Sequence, residues 1–164
     1  METLILTKDD IRKKLIRMAY EIAEQNADEK EIIIVGIKEG GYEIAKRLSE
    51  QLKNITSSKI ILAEISLNKH NPAEADVKTN LTAAQIENNV LIFIDDVANS
   101  GKTLLYAMKP LMKHLPKKVS VAVLVDRKHK LFPVSADIVG LSLSTNMHEH
   151  ISVLLGEKEG VYLS

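Results

Sequence analysis

The chain has 164 residues, the length of one ordinary domain, with 22 basic and 22 acidic residues and a formal net charge of zero. That balance argues against indiscriminate binding to nucleic acid or acidic membranes, and the lack of cysteine excludes disulfides and thiolate metal sites. No segment reaches about 18 uninterrupted apolar residues and the N-terminus has no long apolar run, so a soluble, cytoplasmic protein with no membrane partner is expected.

In chain order, Ile11, Leu15, Met18 and Ile22 fall on one helical face, and Thr7 with Asp10 forms a capping pair before them. The β-branched run EIIIVGI, 31 to 37, predicts a strand. Ile44, Leu48 and Leu52 then recur at helical spacing. KIILAEISL, 59 to 67, predicts a second strand. Residues 68 to 88 are polar, carry Pro72 and lack a period, which predicts a flexible functional loop. VLIFID, 90 to 95, is apolar enough for a strand buried on both faces. A helix is expected from about Lys102 to Leu115 and a fourth strand over KVSVAVLVD, 118 to 126. Strands alternating with helices predict an α/β fold with a mainly parallel sheet flanked by helices, in a single domain over 1–164. Ligands of such sheets gather beyond the carboxyl ends of the strands, where the turns GIKEGG and DDVANSGKT fall.

The Gly-Lys-Thr at 101–103 is not a triphosphate cradle. That motif needs a glycine five residues before Gly101, and Asp96 stands there. The dinucleotide fingerprint fails at GIKEGG, because Lys38 stands where a second glycine is needed. The turn from Ala98 to Thr103 leads into a helix, so its backbone N–H groups should converge near the positive end of the helix dipole. Ser100 and Thr103 add hydroxyls, and Gly101 lets the backbone come close. This pattern suits one monophosphate. Asp95 and Asp96 just upstream suit the vicinal hydroxyls of a ribose 5-phosphate. Strand alternation points adjacent side chains apart, so both serve one ligand only if the chain is already turning there.

LIFIDDVANSGKT resembles the phosphoribosyl pyrophosphate motif of the type I phosphoribosyltransferases, with Ser100 where threonine is commoner. IRKKLIRMAYEIAEQN, IIIVGIKEGGYEIAKRL and VAVLVDRKHKLFPVSADIVGLSLST extend the resemblance over most of the chain. They are most similar to the branch of the pyrimidine operon attenuation protein, which is also a uracil phosphoribosyltransferase. The resemblance implies a parallel sheet flanked by helices, with a core over about 1–125, a flexible active-site loop at 68–88 and a small hood at about 126–150. It implies transfer of ribose 5-phosphate from phosphoribosyl pyrophosphate to a pyrimidine base, most simply uracil, with Mg²⁺ as cofactor. Asp95 and Asp96 would hold the ribose hydroxyls and the metal. Ala98, Asn99, Ser100, Gly101, Lys102 and Thr103 would hold the 5-phosphate. Lys38, with Glu39 and Gly40, would form the pyrophosphate turn. Asp126, Arg127, Asp137 and Ile138 would lie in the hood around the base.

The same resemblance implies a homodimer or homotetramer and, as an alternative function, an RNA-binding regulator of pyrimidine genes that senses nucleotides. The basic groups Arg12, Lys13, Lys14, Arg17 and Arg127, Lys128, Lys130 are the candidates for an RNA face. Two departures from the branch stand out. Glu39-Gly40-Gly41 replaces Thr-Arg-Gly, and the loop reads LNKHNPAEAD without an arginine, leaving Lys69, His70 or Lys78 as cations. These departures keep open a catalytically weak nucleotide-binding relative. His148 and His150 have no third metal ligand at a recognisable spacing and are expected to be surface or hood histidines.

Overall fold

The computed structural model describes residues 2–164. β1 (Thr3–Thr7) leads into α1 (Lys8–Gln25), β2 (Glu31–Ile37), α2 (Gly40–Ile55) and β3 (Lys59–Ser66). β4 (Lys78–Thr79), α3 (Ala83–Ile86), β5 (Val90–Ala98) and α4 (Lys102–Ala107) follow, and then a 3₁₀ turn at Lys109–Lys113. β6 (Lys118–Asp126), β7 (Ile138–Ser142), β8 (Ile151–Leu154) and β9 (Gly160–Leu163) complete the chain. Six strands form the main sheet in the order β4-β3-β2-β5-β6-β7, all parallel except the β4 edge. β1, β9 and β8 make a separate antiparallel sheet.

The apolar patterns account for the layers. Ile11, Leu15, Met18 and Ile22 of α1 and Ile44, Leu48 and Leu52 of α2 are buried against Ile32, Ile34, Ile92 and Ile94 on one face of the sheet. Ile33, Val35, Leu91 and Phe93 face the opposite side, with Ile86, Leu104 and Leu111 over them. The expected cap of α1 is present: Asp10 N–H donates to Thr7 Oγ1 at 3.2 Å, and Asp10 Oδ2 accepts from Thr7 N–H at 2.9 Å.

Three expectations need correction. The helix expected over 102–115 is α only to Ala107, because Pro110 cannot donate to an α ladder and the chain tightens into 3₁₀. Of the loop expected over 68–88, the second half is built structure. Asn80 Oδ1 accepts from Glu64 N–H at 2.9 Å, Thr79 Oγ1–H donates to Glu64 O at 2.8 Å, and Thr82 with Gln85 caps α3. The stretch 126–150 gives β7 to the main sheet and is otherwise turns. The small separate sheet comes from residues 3–7 and 151–163, whose strands are too short to carry a clear period.

Candidate active site

The order of the main sheet reverses between β2 and β5. β3 lies on one side of that pair, and β6 and β7 lie on the other. This switch point leaves a crevice beyond the carboxyl ends of the strands. The turn after β2 (Lys38, Glu39, Gly40) and the end of β5 (Asp95, Asp96) meet there.

The acidic pair lies where the chain turns. Val90, Ile92 and Ile94 pack on the α1/α2 side, and Leu91 and Phe93 pack on the other. Strict alternation would send Val97 with Phe93, yet Val97 packs on the α1/α2 side and Ala98 opposite. The phase slips by one residue across Asp95–Asp96, so both carboxylates reach one cleft. Each carboxylate is also held by the backbone: Asp95 Oδ1 accepts from Asp96 N–H at 3.0 Å, and Asp96 Oδ1 accepts from Val97 N–H at 2.8 Å.

Asp95 is 2% exposed. Burial, reinforced by the adjacent Asp96 charge, pushes its carboxyl up to about 8, while the Lys69 ammonium pulls it down. Lys69 Nζ stands 3.5 Å from Asp95 Oδ1. Glycines make room for the pair. A Cβ on Gly40 would stand 2.3 Å from Asp96 Oδ2, and one on Gly41 would stand 2.5 Å from Ile94 O. The departure from the resembled branch at Gly40, where the branch has arginine, therefore fits a close approach of α2 to the acidic turn.

Three hollows adjoin at the pair. A small one of about 40 Å³ is lined by Asp95 and by Val97 through Leu104, the whole turn between β5 and α4. A second, of about 400 Å³, is lined by Lys38, Glu39, Gly40, Ser66, Leu67, Lys69 and Asp96. The largest of the three, about 580 Å³, lies between Lys69, His70, the acidic pair and the turn before α4 on one side and His150 to Leu154 on the other. That volume is typical of a small-molecule site. The Lys38–Glu39 peptide is cis, and Lys38 Nζ pairs with Glu64 at 3.2 Å. Gly101 has φ 86°, and a Cβ there would press on Phe132 O at 3.2 Å. Ser100 O accepts from the N–H groups of Leu131 and Phe132 at 2.9 and 3.0 Å, tying the turn before α4 to the segment after β6.

The candidate residues beyond β6 divide. Asp126 pairs with Ala98 across the β5–β6 ladder, and Arg127 N–H donates to Ala98 O at 2.9 Å, so both stand at the crevice. The Arg127 guanidinium, however, holds the 145–149 turn, donating to Thr145 Oγ1 at 2.6 Å, Asn146 O at 2.8 Å and Glu149 O at 2.6 Å. Asp137 and Ile138 are not brought to the crevice. Ile138 begins β7 beside Ala122, four residues short of Asp126, which is about 13 Å at strand rise. Ile138 is 1% exposed in the core, and Asp137 Oδ2 accepts from Val121 N–H at 2.8 Å. Their motif position marks a strand start at the amino end of the sheet. Sequence reading missed Ile151 to Leu154 as a wall of the cleft. The alternation ISVL followed by GVYL across a glycine-containing turn was the available hairpin signal.

Among the described residues no helix is long and apolar enough to cross a membrane, and no cluster of three or more His, Asp or Glu forms a metal cage. The oxygen-only pair Asp95 and Asp96, at the wall of the large cleft, fits a hard divalent ion that keeps most of its water.

Comparison with known proteins agrees with this architecture. A family model described as the phosphoribosyl transferase domain matches residues 4–158. The bifunctional protein PyrR of Pediococcus pentosaceus is 34% identical over 166 residues, covering 96% of this chain and 94% of its own. That of Streptococcus thermophilus is 35% identical over 156 residues, covering 93% and 90%. Among solved structures, a hypoxanthine-guanine phosphoribosyltransferase from Bacillus anthracis superposes with a TM-score of 0.73 at 19% identity, covering 98% of this chain and 95% of its own. Fold, crevice and sequence relatives thus agree, and the chain belongs to the phosphoribosyltransferase family of enzymes.

Proposed function

We propose that this chain transfers the phosphoribosyl group of phosphoribosyl pyrophosphate to uracil, giving UMP and pyrophosphate. The observation that carries the reading is the meeting of three hollows on one pair of aspartates. In this assignment the turn 98–103 takes the 5-phosphate, Asp95 and Asp96 take the ribose hydroxyls, and the 38–40 turn with Lys69 takes the pyrophosphate. The base lies in the large cleft against the 150–154 wall.

The chemistry follows from charge. The bond from C1 of the ribose to the pyrophosphate oxygen breaks as a ring nitrogen of the base bonds to C1 and releases its proton. Positive charge grows on the sugar beside the Asp96 carboxylate, and Asp95 adds a second negative charge once a cation in the cleft draws off its proton. Negative charge grows on the leaving group, opposite Lys69 and the amides of the 38–40 turn. Asp95 and Asp96 are the residues that would hold Mg²⁺, which when bound would neutralise more of that charge. Fixing both reactants is worth up to several kcal/mol of the barrier. Incubation of isotope-labelled uracil with phosphoribosyl pyrophosphate and Mg²⁺ tests the reading. Labelled UMP is expected, and the absence of nucleotide from any common base would overturn it.

The relatives' designation as bifunctional favours a second activity, and the resemblance points to RNA-dependent regulation in a homodimer or homotetramer. Within the first basic group Arg12 and Lys13 share the one Asp9 carboxylate, and Arg17 pairs with Glu21 and donates to Val139 O and Gly140 O, so the group keeps a net positive charge. An RNA face would draw on the exposed Arg12, Lys13 and Lys128 and on Lys14. Binding of a pyrimidine leader RNA that weakens with salt and strengthens with UMP would establish this activity; no binding at low salt would dismiss it.

A further inference from the structure

We propose that Arg47 is a positioning residue, which locks the β8–β9 hairpin to α2 through Glu159 and so fixes the wall of the cleft against which the nucleobase packs. The inference rests on the base placement above, and its test separates the two. Arg47 Nη1 donates to Glu159 Oε1 at 2.6 Å, and Nη2 donates to Oε2 at 3.2 Å, a two-pronged pair. The Glu159 side chain is only 4% exposed, although it sits in a turn between two short strands. Glu43, one helical turn earlier, lies 3.5 Å from Arg47 Nε and steadies the guanidinium from the other side. The Arg47 guanidinium holds the Glu159 carboxyl below the usual carboxylate range, so the pair is charged throughout the neutral range.

Placement gives the pair its consequence. Gly40 opens α2 and belongs to the pyrophosphate turn, and Arg47 lies seven residues on, about two turns along the same helix face. A gap of about 470 Å³ separates this face, with Glu39, Gly40 and Arg47, from Val153 to Gly156. The Arg47–Glu159 pair bridges that gap. Ile151 and Val161 anchor the small sheet in the core. Apolar anchoring is non-directional and the Arg127 hydrogen bonds hold the turn before β8, whereas the fork-on-fork ion pair fixes the orientation of the hairpin's far end. Residues 151–154 line the large cleft, so rocking of β8 would change the fit of the base while leaving the phosphate turn untouched.

The test compares Arg47→Met, which keeps the aliphatic stem, with Glu159→Gln, Arg47→Lys and the swap Arg47→Glu/Glu159→Arg. Each of the first two should raise KM for uracil about tenfold, leave kcat and KM for phosphoribosyl pyrophosphate within about twofold, and speed amide exchange across 151–163. Arg47→Lys should fall between, because lysine lacks the fork. The swap should recover most of the loss. Unchanged KM for uracil in the folded single variants would overturn the proposal, as would equal losses in every kinetic constant in step with a falling Tm. If the wild-type chain makes no nucleotide, the transferase reading fails by itself. The exchange experiment then decides the latch, and undiminished protection of 151–163 in Arg47→Met would dismiss it.

Discussion

Asp95 is the residue on which the site turns. It is buried, backed by a second carboxylate, and met by one lysine from the loop after β3. Replacing both carboxylates, Asp95→Asn with Asp96→Asn, should weaken binding of phosphoribosyl pyrophosphate at least a hundredfold by calorimetry, since charged hydrogen bonds to the sugar disappear. Gly40 is the second sensitive position. Any side chain there meets Asp96 Oδ2, so Gly40→Ala should raise KM for phosphoribosyl pyrophosphate while the far-ultraviolet circular dichroism stays unchanged. Gly101 combines a left-handed φ with a close carbonyl, so Gly101→Ala should lower stability by about 1–2 kcal/mol in urea unfolding and weaken phosphate binding with it.

At the scale of elements, pattern and outcome agree wherever one local rule dominates. β2 and β6 occupy the residues their β-branched runs predict, and the Thr7–Asp10 cap starts α1. Thr7→Ala should therefore cost about 1 kcal/mol in a denaturant melt. That Asp95, Asp96 and the turn 98–103 stand together at one strand end was legible because strand, carboxylates and small-residue turn adjoin in sequence. Ile151 to Leu154 were not legible as a cleft wall. Four residues show too little period, and their partner strand is set by the turn at 155–159. Asp137 and Ile138 misled for a related reason: a segment following a catalytic-side strand crosses the sheet before its own strand begins, and sequence does not mark the crossing.

For the whole molecule, the buried Asp95 links stability to pH. The native state keeps its proton up to about 8, whereas the unfolded chain releases it near the ordinary 3.8. Between those values the folded form binds more protons, so this group makes stability fall as pH rises, with the decline ending above about 8. Asp95→Asn should consequently raise Tm by several degrees at pH 8 and have little effect at pH 4 in thermal melts. A result with the larger gain at pH 4 would mean the carboxyl is not held protonated by burial. The Arg47–Glu159 pair acts in the opposite sense. Its stabilisation is present above the unfolded glutamate value of 4.5 and fades as acid protonates Glu159 at a still lower pH.

The strand at Thr3–Thr7 finds its neighbour only at Gly160–Leu163, more than 150 positions later. On the ribosome, the parallel layers could close while that early strand still waits, and the acids at 95–96 would face bulk water. The far wall of the cleft is then set only when Gly160–Leu163 slides between the two waiting edges, Thr3–Thr7 and Ile151–Leu154.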